Sequence, residues 1–235
     1  MIDINKWRYD EFVQVGKDYS LNDEVAVYEE THSTFRDLVL ESNEFLDALS
    51  VKAGESLIDF GCGTGVFTIQ AALRGVNVFA VDISQNMLAY AEKKALEKNI
   101  QSISFVNSGF LNYTHSSELV DYIMTSFSFH HLPDFWKAVA LKRMHSMLNS
   151  SGVLYIQDVV ISEENCINNI NSFIQSQEEL GGDFLRVDAI EHFRDEFSTY
   201  DWVIEEMLKL AGFKIESKES FSGLIYRYKC TKEED

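Results

Sequence analysis

The chain has 235 residues, 46% of them hydrophobic, and a formal net charge of -18. That length and apolar content suit one globular domain with a full core and exclude a largely disordered chain. The charge disfavours DNA and bulk RNA, whose phosphates an acidic surface repels, and it disfavours a basic membrane-binding face.

Residues 1–53 read as a helical N-terminal cap, in which Phe35, Leu38, Val39 and Ser42 recur at helical spacing and Leu46 and Leu49 continue the pattern. Strand and helix then alternate: strand 55–60, helix 65–73, strand 76–81, helix 85–98, strand 102–106 and strand 120–126. Pro133 and Asp134 open a helix that runs to about Leu148. Asn149, Ser150, Ser151 and Gly152 form a turn, and Val153 to Ile156 a buried strand. Residues 159–197 are polar, hold the pair Gly181 and Gly182, and read as an inserted helical lid. Ser198 or Thr199 caps a helix through Leu210, which Gly212 ends. Strands 213–219 and 223–230 close the chain around a turn at Ser222 and Gly223. This alternation predicts an α/β fold: Rossmann-like, doubly wound and mainly parallel, with helices on both faces and ligands at the carboxyl ends of the strands.

The ends of those strands carry the chemistry. The run from Leu57 to Gly65 is an apolar strand that ends in Asp59 and enters a turn with Gly61, Gly63 and Gly65. A second strand ends in Asp82, followed by Ile83 and the helix cap Ser84. Glycine serves where φ is positive or where a ligand approaches the backbone. Such a unit can hold an adenosine, the backbone cradling one part and the second acid taking the ribose hydroxyls. The spacing is G-x-G-x-G, and Val66 stands where a dinucleotide fingerprint places its third glycine, which disfavours a nicotinamide-dependent oxidoreductase.

Asp59, Gly61, Gly63 and Gly65 match the D-x-G-x-G-x-G motif, and the chain from about residue 45 to 158 resembles the class I S-adenosylmethionine-dependent methyltransferases. The stretches around Trp136 and Trp202 are similar to a largely uncharacterised bacterial subset of them. The resemblance implies a seven-stranded sheet whose last strand is antiparallel. It implies S-adenosylmethionine as cofactor, leaving S-adenosylhomocysteine as product. It implies cofactor contacts at Asp59, Gly61, Cys62, Gly63, Gly65, Asp82, Ile83, Met87, Gly109, Phe110 and Ser126. Gly109 departs from the family, many members of which have an acid there for the adenine amino group; backbone groups at Gly109 and Phe110, with the Phe110 ring, are left to serve that edge.

A methyl acceptor that starts out protonated needs a base, and His130 and His131 are the candidates by chemistry. Asp158, Arg194 and Tyr28 are candidates for substrate contact, and Tyr19 and Trp7 for covering the cofactor by cation–π contact. His115 and His192 read as solvated, and no cluster of His, Cys and carboxylates has metal-ligand spacing. Cys62, Cys166 and Cys230 form no C-x-x-C pair, so they indicate neither a disulfide framework nor a zinc site and suit a reducing compartment. The polar first residues and the lack of an apolar run of roughly 18 residues add to the expectation of a cytoplasmic protein. The expected reaction is methyl transfer to a small-molecule acceptor. The alternatives are a non-catalytic binder of the same cofactor, transfer of a different group such as aminopropyl, and the disfavoured oxidoreductase.

Overall fold

Side chains alternate across a strand, so each strand buried on both sides feeds two cores. In the computed structural model, which describes residues 3–13, 15 and 36–233, the strands behave in this way. Strands β1 (Ser56–Phe60), β2 (Asn77–Asp82), β4 (Val120–Ser126) and β5 (Leu148–Ile161) send Leu57, Val78, Tyr122, Met124 and Tyr155 to one face. There they pack on Phe45, Leu46 and Leu49 of α1 (Leu38–Leu49) and on Ala71 and Ala72 of α2 (Val66–Leu73). Ile58, Phe60, Val81, Ile123, Leu154 and Ile156 go to the other face. That core is completed by Trp136, Ala140, Leu141 and Met144 of α4 (Asp134–Met147) and by Ile204 and Leu208 of α6 (Asp201–Leu210). Val39, expected on the buried face of α1, is exposed, and Phe45 takes its place.

The main path of the sheet is seven strands in the order β3-β2-β1-β4-β5-β8-β7, with β3 at Ile103–Asn107, β7 at Phe213–Phe221 and β8 at Ile225–Lys232. The last strand, β8, runs antiparallel to both neighbours. A two-residue strand, β6 (Thr199–Tyr200), also pairs with β5. Chain order reverses between β1 and β4, so the crevice for a ligand opens at the carboxyl ends of β1, β2 and β4. Helix α3 (Gln85–Glu97) follows β2, capped by Ser84 through the Met87 N–H, and lays Leu88 on Ala80 and Cys62.

Three local expectations change. Residues 149–152 lie inside β5 as a bulge: Leu148 pairs with Val120 and Val153 with Tyr122. The bulge is held by Asn149, whose Nδ2 donates to Asp121 and whose Oδ1 accepts from the Ser151 N–H. Thr199 is in β6 rather than capping α6, its hydroxyl donating to Asp134. The insert begins only after Ile161, where β5 ends, and consists of α5 (Cys166–Asp195) broken at Gly181 and Gly182. Phe173 and Phe193 meet edge to face at 5.9 Å, so the two halves fold back on one another as a helical hairpin. Among the described residues no helix is long and apolar enough to cross a membrane. Tyr19 and Tyr28 lie outside the described residues.

Gly182 has φ 65° and ψ -154°, a region open in practice to glycine alone, and open space where a side chain would stand. Gly182→Ala is therefore expected to cost about 1–3 kcal/mol from backbone strain. The measurement is amide exchange: it should quicken across residues 166–195 and stay unchanged in β1, β2 and β4.

Candidate active site

The turn after β1 is shaped by one carboxylate. Asp82, at the end of β2, accepts the Gly63 N–H on Oδ2 at 2.8 Å and the Ser84 N–H on Oδ1 at 2.8 Å. Gly61 has φ 69°, and any side chain there would overlap Ser128. Gly63 has φ 52° with open space on its Cβ side, so a ligand can come against its backbone. These residues rim a cleft enclosing about 890 Å³, part of it open to solvent. Ile83, Met87, Phe110 and Leu132 supply apolar walls. Burial raises the Asp82 pKa, and the N–H groups of Ser84 and Gly63 oppose the rise.

Gly109 has a reason that the sequence does not display. The carboxylate of Glu11, from the N-terminal segment, occupies the space a Cβ at residue 109 would need. Glu11 is buried and accepts the Leu111 N–H at 2.9 Å and the Asn112 amide at 2.8 Å. It lines the cleft beside Gly109 and Phe110. Burial raises its pKa, and the N–H groups it accepts work against that. The acid absent from position 109 is thus replaced in space by one about a hundred residues upstream. Phe110 lines the cleft too, but one face of its ring already stacks on Phe60 at 5.1 Å.

On the far side, Ser126, Phe127, Ser128 and His131 line the cleft. Phe127 has φ 50°, a strained position for a bulky residue, and the Arg36 guanidinium lies 4.5 Å over its ring. This segment hangs on Asp158. The Asp158 Oδ2 accepts the Phe129 N–H at 2.7 Å and the His130 N–H at 3.1 Å, and Oδ1 meets His130 Nδ1. The His130 Nε2 lies 3.1 Å from Glu196. Burial lowers the His130 pKa, but the carboxylates of Asp158 and Glu196 outweigh it and raise the value to about 9. His131 moves the other way, burial and the neighbouring His130 lowering it to about 4. Burial likewise pushes Asp158 up, but His130 overrides it and holds the carboxyl below the usual range.

Of the residues singled out in the sequence, Gly61, Gly63, Asp82, Ile83, Met87, Gly109, Phe110, Ser126 and His131 meet at this one cleft. The others stand elsewhere. Asp59 is buried behind the turn and accepts the Thr68 hydroxyl at 2.5 Å. Cys62 points into the small apolar cluster with Ala80 and Leu88. Gly65 precedes α2 and abuts Ala91. Asp158 is taken up by His130 Nδ1 and by backbone N–H groups, and His130 turns its Nε2 to Glu196. Arg194 is exposed and paired with Asp195 and Glu191. Trp7 packs on Trp136 at 5.4 Å. His192 is not solvated: it contacts Glu196 and Ser198. His115 is half-buried, bonded to Tyr113 and packed on Phe79. Glu11 escaped the sequence reading because no motif or periodicity marks the polar segment that carries it.

Comparison with known proteins finds methyltransferases. The family described as "Methyltransferase domain" matches residues 57–152. The chain is 27% identical over 217 residues to an uncharacterized methyltransferase of Staphylococcus carnosus, covering 91% of this chain and 97% of that one. A solved S-adenosylmethionine-dependent methyltransferase from Clostridium acetobutylicum shares the fold with a TM-score of 0.67 at 14% identity, over 91% of this chain and 99% of that one. Magnesium protoporphyrin IX methyltransferase from Synechocystis, solved with bound S-adenosylmethionine, has a TM-score of 0.58 at 16% identity, over 97% and 90% of the two chains.

Burial is the main reason the Asp59 pKa rises from 3.8 to about 7; Thr68 opposes the rise and Asp82 adds to it. Between those values the folded state keeps a proton that the unfolded chain has lost, so this group makes stability fall as pH rises through that window. Asp59→Asn removes the dependence. Its Tm relative to the parent chain is expected to climb from about pH 4 to about pH 7 and then level off. A Tm difference that is flat across this range, or that falls, contradicts the reading.

Proposed function

We propose that the chain is a class I S-adenosylmethionine-dependent methyltransferase that transfers the methyl group of that cofactor to a small molecule by in-line displacement. The observation that carries the reading is the meeting of the open Gly63 backbone, Asp82 and Glu11 at one cleft. The residues present suit the cofactor. Each Asp82 oxygen accepts one N–H, which leaves lone pairs for the ribose hydroxyls. The backbone at Gly109 and Phe110, with the Glu11 carboxylate beside it, would serve the adenine edge. Ile83, Met87 and Leu132 would pack on the base, and the turn at Gly61 and Gly63 would face the amino-acid part.

When bound, the cofactor supplies an electrophilic methyl on a sulfonium. The protein's work is to hold the acceptor in line with it, a form of catalysis that supplies on the order of 7–11 kcal/mol. Phe127, Ser128 and His131 line the side of the cleft that we assign to the acceptor, and His131 is the one imidazole of the pair that lines it. We assign His131 to contact with the acceptor, and His130 to holding the segment in place. The -18 charge and the free cysteines support a small acceptor over nucleic acid and a reducing, cytoplasmic setting.

Calorimetry with S-adenosylhomocysteine tests the reading. The parent chain should bind it. Asp82→Ala should weaken binding by about 10–100-fold, the value of hydrogen bonds to a charged group. Glu11→Gln, which keeps the shape but not the charge, should weaken it about 10-fold. No heat with either form of the cofactor, together with quenching of NADH fluorescence, would overturn the proposal in favour of a nicotinamide site. Binding without turnover on a broad acceptor panel would favour a non-catalytic binder.

A further inference from the structure

A second polar cluster lies behind the cleft and has no part in methyl transfer as described. At the end of the insert, His192 and Glu196 stand one helical turn apart. His130 comes to the same point from the segment after β4. The His130 Nε2 is 3.1 Å from Glu196 Oε2, and His192 Nδ1 contacts that same oxygen. The three ligand atoms lie within 4.8 Å of one another.

Two details separate this cluster from an ordinary ion-pair network. Neither imidazole is aligned to hydrogen-bond the oxygen it approaches, and Glu196 Oε2 is buried without a hydrogen-bond partner. Both imidazole nitrogens are turned on that one oxygen, an arrangement that a bound cation would bridge. Each imidazole is also held by its other nitrogen: His130 Nδ1 by Asp158, and His192 Nε2 by the Ser198 hydroxyl at 3.0 Å. Outer partners of this kind fix the ring and direct the remaining lone pair, as they do for metal-ligating histidines. The charges also balance once the cation takes the place of the His130 proton, since two neutral imidazoles, the carboxylates of Asp158 and Glu196, and a divalent cation sum to zero.

We propose that His130 Nε2, His192 Nδ1 and Glu196 Oε2 bind one divalent transition-metal ion of the zinc type, with Asp158 and Ser198 orienting the two imidazoles. Two histidines and one glutamate are a known zinc donor set that leaves a fourth position for water. The ion would fasten the helical insert to the segment whose next residue, His131, lines the cleft. The inference stands independently of the methyl-transfer reading.

The probe is zinc itself, in equilibrium dialysis of the full chain against metal-buffered solution with metal content measured afterwards. The parent chain should retain about one zinc, and its Tm should rise with zinc. His192→Ala and Glu196→Ala should lose that zinc. Asp158→Asn should weaken affinity about 10–100-fold, the usual effect of removing an outer partner. Cobalt in place of zinc should give visible d–d absorption, which neither ligand variant should show. The proposal is overturned if the parent chain retains no zinc and gives no cobalt spectrum. It is also overturned if either ligand variant, folded by circular dichroism, holds zinc with the parent's affinity. Should both variants unfold, the parent chain's zinc content and cobalt spectrum decide the matter alone.

Discussion

The carboxylate of Asp82 ties the ends of two neighbouring strands together. Through the Gly63 N–H it pulls the turn after β1 toward β2, and through the Ser84 N–H it sets the start of α3. The glycines make this possible, since Gly63 at φ 52° turns its N–H toward the acid and leaves its other side open. Without that pin, the backbone rim of the cleft would have no fixed shape. The same buried acid keeps unused lone pairs for a ligand, so a single group serves both the fold and the site.

The pattern repeats around the rim. Asp158 holds the segment after β4 through the N–H groups of Phe129 and His130. Glu11 holds the turn after β3 through the Leu111 N–H and the Asn112 side chain. Each of three loops at the carboxyl ends of the strands is therefore anchored by a buried carboxylate accepting its N–H groups. Charge-assisted bonds of this kind are stronger than neutral ones and keep the donors preorganised. Burying these acids has a cost, which appears in the raised pKa values of Asp82 and Glu11. Asp158 escapes that rise because His130 compensates it.

Much of this was legible in the sequence. Apolar periodicity placed β1 to β4 and α2 to α4 within a residue or two, because both faces of the central strands are buried and caps such as Ser84 mark the helix starts. The glycine turn and Asp82 were legible because both are local to a strand end. Glu11 was not, since its partner Leu111 is 100 residues away and contact at that range leaves no mark in spacing. The His192 and Glu196 pair has helical spacing, but its third member, His130, belongs to another element. Asp158 reads as a strand end, but β5 continues to Ile161; of the two roles the sequence leaves open, substrate contact or a structural hydrogen bond, the geometry shows the second. The bulge at residues 149–152 was read as a turn that ends one element and starts another, because Asn, Ser and Gly signal a turn whether or not pairing resumes beyond it.

The central claim is that the cleft built by these three acids is an adenosine site completed by Glu11. A crystal structure of the chain with S-adenosylhomocysteine tests it most directly. The account predicts both ribose hydroxyls within hydrogen-bond distance of Asp82, and the adenine amino edge against Glu11 and the Gly109 backbone. Adenine bound away from Glu11, or ribose not touching Asp82, would contradict it.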